Sequence, residues 1–283
     1  EIPYSESEQV MKAISLSYLV YGCETCAELT GTVKEILEQK ISQLQKIINS
    51  SSNIVFFGGA GVSTESGISD FRSTDGLYHQ KWNYPPEQII SHSFFIQNTK
   101  EFYKFYRAKL LPIGFAPNKA HIKLAELEKI GKLKAIITQN IDGLHQKAGS
   151  KIVYELHGST LRNYCQNCNK FYDEKIIASS ENELDGIPHC SDCGGIIKPD
   201  VVLYEEGLND TIVNNSIKAI SEADTLIIGG TSLVVYPAAS FIQFFRGKNL
   251  VLINKSETAM DSKADLVIHW SIGEVLSRVN LTS

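Results

Sequence analysis

Two cysteine pairs, Cys165-Gln-Asn-Cys168 and Cys190-Ser-Asp-Cys193, carry the clearest chemistry in this chain. Thiolates at this spacing, two pairs to a module, are the donor set of a structural Zn²⁺ ribbon, and a site with four of them is closed to substrate. Just upstream, Gln139-Asn140-Ile141-Asp142 sets amides and a carboxylate directly after an apolar run, and His157 follows, next to Gly158. Such groups can hold ribose hydroxyls or a carboxamide, and an imidazole is the side chain best suited to accept a proton near neutral pH. A solvated loop and a structural histidine are the plainer readings of the same residues. His145 competes as the base, but its place at the start of a predicted helix suits packing or capping. Far upstream, Gly58-Gly59-Ala60-Gly61-Val62-Ser63 forms a glycine turn, which departs from the G-x-G-x-x-G fingerprint and alone is weak evidence. Its tail, Asp70-Phe71-Arg72, adds an acid, an aromatic face and a cation. Those can fork onto a pyrophosphate and cover a planar ring.

These residues need a scaffold, and the pattern around them supplies one. Thr32 with Glu35 reads as a capping box opening a helix whose apolar positions run from Val33 to Ile48, with Ser50-Ser51-Ser52 ending it. The runs 53–57, 134–138, 226–229, 250–254 and 266–269 are short and continuously apolar, as buried parallel strands are. Helical stretches such as 120–129 and 210–221 lie between them. Strand and helix in alternation predict an open, doubly wound parallel sheet, with the polar residues at the carboxyl ends of its strands, where such sheets bind ligands. The cysteine-bearing stretch 162–197 interrupts the rhythm as an inserted module. The Phe- and Tyr-rich stretch 78–115 reads as a mostly helical insert.

The 283 residues suffice for one large domain with inserts. A net charge of −5 gives no electrostatic reason to expect nucleic acid, and the cysteine module is itself acidic. No apolar run is long enough to span a membrane. Four of the six cysteines have ligand spacing, which predicts a reducing, cytoplasmic setting. Residues 1–31, with the isolated pair Cys23-Glu-Thr-Cys26, read as an N-terminal extension or appended leader.

From about residue 34 to residue 280 the chain resembles the sirtuins, NAD-dependent protein lysine deacylases of bacterial type. The resemblance rests on Gly59-Ala60-Gly61-Val62-Ser63, Ser66 to Arg72, Thr138 to His145 and His157-Gly158. It continues through the four cysteines, Lys198 to Val202, Gly230-Thr231-Ser232-Leu233 and the stretch Val234 to Ala238. It implies a Rossmann-like catalytic domain over 32–283 (Rossmann-like at 32–77, 116–161 and 198–283), with the helical insert at 78–115 and the zinc module at 162–197. It also implies NAD⁺ as co-substrate, structural Zn²⁺ and acylated-lysine proteins or peptides as partners.

The resemblance further implies a mechanism. The acyl-lysine oxygen attacks the nicotinamide ribose carbon and expels nicotinamide, leaving an alkylimidate. His157 is then the base that deprotonates a ribose hydroxyl, and Asn140 and Asp142 orient the ribose, a water and the carboxamide. The NAD⁺ site would be lined by Ala60, Gly61, Thr64, Asp70, Phe71, Arg72, Gln139, Ile141, Gly230, Thr231, Ser232, Asn254, Lys255 and Ile272, together with those three. Val202, Leu203 and Tyr204 would form the acyl-lysine tunnel, and Val234, Val235 and Tyr236 the strand that pairs with the peptide. Products would be nicotinamide, free lysine and O-acetyl-ADP-ribose. A mono-ADP-ribosyltransferase or NAD⁺ hydrolase on the same fold is one alternative, and a non-catalytic NAD⁺ or ADP-ribose sensor another.

Four positions depart from the family pattern: Gly58 for threonine, Ser69 for proline, Tyr204 for phenylalanine and Glu205 for glycine. With Lys81 three residues after Tyr78, the tyrosine–arginine pair of negatively charged acyl specialists is not reproduced. Acetyl or longer apolar acyl groups are therefore expected.

Overall fold

In the computed structural model, residues 24–71, 76–77, 82–180 and 185–281 are described, with side chains from residue 31 onward. The run Ile54–Gly58 (β1) is buried along its whole length, and so is Thr225–Gly229 (β7). Such strands need cover on both faces. They sit in a parallel sheet with Leu133–Thr138 (β2), Val153–Glu155 (β3), Asn249–Ile253 (β8) and Leu266–Ile268 (β9). The order is β3-β2-β1-β7-β8-β9, that of the doubly wound dinucleotide-binding fold, with the strand order reversing between β1 and β7.

The two-residue period of each strand splits its side chains between two cores. Phe56, Ile136, Ile227, Val251 and Ile253 face the helices Glu24–Ser50 (α1), Lys119–Lys129 (α2) and Ile272–Ser277 (α4). Val55, Phe57, Ile137, Ile228 and Leu252 face the other way, onto Asp210–Glu222 (α3) and the 3₁₀ segment Ala238–Phe244. Helix α1 does not start at Thr32. It already runs through Glu24–Thr32, because no breaker intervenes and Gly31 is tolerated within a helix anchored by its buried face, so the capping-box reading is corrected. At its far end Lys132 Nζ donates to the carbonyls of Ile48, Asn49 and Ser51, a cation on the negative helix terminus.

A smaller antiparallel sheet, β5-β4-β6, joins Phe171–Tyr172 (β5), Gly158–Cys165 (β4) and Ile197–Val201 (β6). It carries the cysteine module. The aromatic insert holds helices Pro86–Ile89, His92–Gln97 and Thr99–Lys109. Rather than standing apart, the two inserts share one core. Phe94, Phe102, Tyr103 and Tyr106 pack with Ile177, Ile197, Val201 and Leu203, and with Cys165 and Cys190. Tyr103 Oη donates to the carbonyl of Ile197, and Arg107 reaches Ser180 Oγ at 2.8 Å. Among the described residues no helix is long and apolar enough to cross a membrane.

Candidate active site

The glycine turn ends β1 and becomes a 3₁₀ turn at Ala60–Val62, beside the matching turn after β7. The two backbones touch: a Cβ on Gly61 would lie 2.8 Å from Gly230 Cα, and Gly230 itself has φ +58°. Only glycine allows that approach, and it leaves a cradle at the point where the sheet order reverses. A cavity of about 700 Å³ opens there. Its wall brings together Ala60, Gly61, Thr64, Asp70, Phe71, Gln139, Asn140, His157, Gly230, Thr231, Ser232, Asn254, Lys255 and Ile272. A second cavity of about 440 Å³ adjoins it, lined by Ile141, Asp142, Val202, Leu203, Tyr204, Val235 and Tyr236. Ala60, Phe71, Gln139, Asn140 and His157 belong to both walls, so the two cavities meet at these residues. Arg72, Tyr78 and Lys81 lie outside the described residues, as does Cys23. Of the other residues expected at the NAD⁺ and peptide sites, only Val234 lines neither cavity; it is exposed.

His157 sits between β3 and β4, held from both sides. Its Nδ1 lies 3.0 Å from the carbonyl of Gln139, and because a carbonyl only accepts, Nδ1 carries the hydrogen and Nε2 keeps the lone pair. Burial lowers its pKa below the ordinary histidine value, partly offset by that hydrogen bond, so the ring is neutral near pH 7. The next residue, Gly158, has φ +75°, and a Cβ there would fall 1.9 Å from Asp200 O. Arg162 clasps the junction, donating to Glu155 at 2.7 Å and to Asp200 at 2.8 Å.

Asn140 and Asp142 are joined through a residue that sequence reasoning left out. Ser63 Oγ accepts from Asn140 Nδ2 at 3.1 Å and donates to Asp142 Oδ2 at 2.6 Å. The amide of Leu144 donates to Asp142 Oδ1 at 2.9 Å, and Gln139 Nε2 donates to Thr231 Oγ1 at 3.2 Å. A hydroxyl closing a glycine turn was the available signal for Ser63. Other unforeseen wall residues are Trp270 in the larger cavity and Leu110, Leu111 and Phe115 in the smaller. His145 is buried at 1% exposure against His121, their rings 4.7 Å apart, and lines neither cavity. Val234, Val235 and Tyr236 belong to no strand here, where a strand at the substrate edge was expected. Among the described residues no strand supplies ladder hydrogen bonds to them.

The four cysteines converge, every Sγ lying within 4.8 Å of the others, with Cys165–Cys193 at 3.4 Å and Cys168–Cys190 at 3.6 Å. Four thiolates about 2.3 Å from a tetrahedral Zn²⁺ stand roughly 3.8 Å apart, so the set fits the metal and is far too open for disulfides. Each pair closes on its own backbone: Asn169 N donates to Cys165 O at 3.0 Å and Gly194 N to Cys190 O at 2.9 Å.

Residues 59–237 match the model of the Sir2 family. The chain belongs to the Sir2 family. An NAD-dependent protein deacetylase of Clostridium perfringens is 65% identical over 246 residues, 86% of this chain and 99% of that protein. One of Clostridium acetobutylicum is 62% identical with the same coverage. Among solved structures, a Sir2–p53 peptide–NAD⁺ complex superposes with a TM-score of 0.76 at 38% identity, covering 84% of this chain and 96% of that one. A Sir2 histidine variant with deacetylated p53 peptide and 3′-O-acetyl ADP-ribose gives a TM-score of 0.79 at 37% identity and the same coverage.

Proposed function

We propose that this Sir2-family chain is an NAD-dependent protein lysine deacetylase, transferring the acyl group of an acyl-lysine to ADP-ribose with release of nicotinamide. One observation carries the reading: His157, its Nδ1–H fixed on Gln139 and its Nε2 lone pair free, belongs to the walls of both cavities. A proton acceptor at such a junction serves a reaction between two substrates that arrive from different sides.

Bound NAD⁺ supplies an electrophilic ribose carbon with a neutral leaving group, so the protein needs positioning and one base. The larger cavity suits a dinucleotide. Two glycine turns offer backbone donors, Thr64 and Ser232 hydroxyls, and Lys255 a cation, at the reversal of strand order. Asn140 and Asp142, tied through Ser63, orient the ribose end and a water; Phe71 shields the reacting carbon. His157 Nε2 takes the ribose hydroxyl proton. Val202, Leu203 and Tyr204 wall the lysine stem, and the unpaired stretch Val234–Tyr236 adds to the peptide backbone as a strand. The apolar wall of Ile90, Leu110, Leu111 and Phe115 suits acetyl or longer apolar acyl groups. Zn²⁺ on Cys165, Cys168, Cys190 and Cys193 is structural, and the ligand-spaced cysteines support a cytoplasmic setting.

Chromatography of a reaction containing acetyl-lysine peptide and NAD⁺ tests the reading. Equal amounts of nicotinamide, O-acetyl-ADP-ribose and free-lysine peptide are expected. Nicotinamide with an untouched peptide points instead to the ADP-ribosyltransferase or hydrolase chemistry.

A further inference from the structure

Glu205 has φ +77°, in the left-handed region that a glycine occupies without cost. A long side chain at such a position needs compensation, and the structure shows what provides it. Glu205 Oε2 accepts from the amide of Ser93 at 2.8 Å and Oε1 accepts from Ser93 Oγ at 3.0 Å. The contact spans 112 residues and fastens the segment after β6 to the start of the helix His92–Gln97. The neighbouring backbone follows the same route: Tyr204 N donates to Ile90 O and His92 N to Tyr204 O, both at 3.0 Å. Glu206 strengthens it from the other side, meeting His92 Nδ1 at 2.8 Å and Lys198 Nζ at 3.1 Å while accepting from Leu203 N at 2.8 Å.

The fastened segment includes Leu203 and Tyr204, which wall the smaller cavity. Without the clasp, the left-handed residue at the cavity rim loses the side-chain contacts that offset its strain, leaving the backbone pair with Ile90 and His92 and the Glu206 contacts to hold the segment. We propose that Glu205 is a positioning residue for the peptide substrate: its carboxylate strap to Ser93 holds the Leu203–Tyr204 wall in the conformation that receives the acyl-lysine. This rests on the deacetylase reading above. The strap works by geometry, since both carboxylate oxygens are engaged by Ser93. A glutamine can reproduce both contacts, its Oε1 accepting from the amide and its Nε2 donating to Ser93 Oγ.

The test measures KM for an acetyl-lysine peptide and, separately, for NAD⁺ on the wild type, Glu205→Gln, Glu205→Ala and Ser93→Ala, with melting temperatures to verify folding. Glu205→Ala keeps the backbone requirement and loses both hydrogen bonds, so its peptide KM should rise roughly tenfold. Its KM for NAD⁺ should stay that of the wild type. Glu205→Gln should stay within about twofold of the wild type, and Ser93→Ala, which keeps the amide contact, should fall between. An unchanged peptide KM in Glu205→Ala overturns the inference. So does an equal rise in both KM values, or a glutamine variant as impaired as the alanine one. A wild type that leaves the peptide acetylated overturns the deacetylase reading itself, an outcome separate from these.

Discussion

Ser63 donates its hydroxyl hydrogen to Asp142 Oδ2 across 2.6 Å, while Ser63 Oγ accepts from Asn140 Nδ2. The hydroxyl at the end of the glycine turn thus locks together the two polar side chains that follow β2. Removing it leaves a buried amide hydrogen and a carboxylate oxygen each without that partner. Ser63→Ala should cost about 1–3 kcal/mol of stability. It should raise KM for NAD⁺ and KM for the peptide alike, because Asn140 borders both cavities while Ser63 and Asp142 line the smaller one. Thermal melting and steady-state kinetics check both.

Acid inactivation should occur late. His157 is neutral in the fold because burial lowers its pKa, and only the neutral ring can accept a proton at Nε2. The pH profile of kcat/KM should therefore be flat through neutrality, with its acid limb below the ordinary histidine value of about 6.5. A limb centred above pH 7 would mean that His157 is stabilised as a cation, against its surroundings.

Acid should also weaken the fold through His121 and His145. Burial drives them down to about 4 and about 3 respectively; nearby Asp142 pulls His121 partly back up, while His121 pushes His145 lower still. Unfolded histidines take up protons from about pH 6.5 downward, when these two in the fold do not. Their contribution is intact above that value and is lost as pH falls towards 4 and then 3. Neither ring nitrogen of His145 has a hydrogen-bond partner among the described residues, so His145→Phe gives up none of their contacts. Melting temperatures between pH 7.5 and 5 should fall less steeply in that variant than in the wild type.

The parallel sheet was legible because β1, β7 and most of β2 and β8 are buried on both faces and so read as uninterrupted apolar runs. Strand β3 was not, since its three residues are half-exposed at the sheet edge and carry no such run. The start of α1 was misplaced because a local Thr–Glu pattern cannot reveal that the preceding residues continue the helix. The single core under the two inserts was invisible for a related reason: Tyr103 and Ile197 meet only in three dimensions. Most candidate site residues fall around the two adjoining cavities, since strand ends in this topology converge. The contacts of Ser63 and Glu205 were not legible because their partners lie 79 and 112 residues away.

Metal removal should reach well beyond the cysteine module. Cys165 and Cys190 share a core with Phe94, Tyr103 and Leu203, so loosening the knuckles loosens the wall of the smaller cavity. A chelator should lower the melting temperature and raise KM for the peptide, with Zn²⁺ restoring both. Unchanged melting after proven metal loss would contradict a structural role.

On the proposed function, His157 is the base of an NAD⁺-dependent deacetylation. Mass spectrometry of an acetyl-lysine peptide incubated with the wild type and with His157→Ala, each with and without NAD⁺, tests it most directly. Loss of the acetyl group is expected only with the wild type and only with NAD⁺. An alanine variant that deacetylates at the wild-type rate, or a wild type that releases nicotinamide and leaves the peptide acetylated, would contradict it.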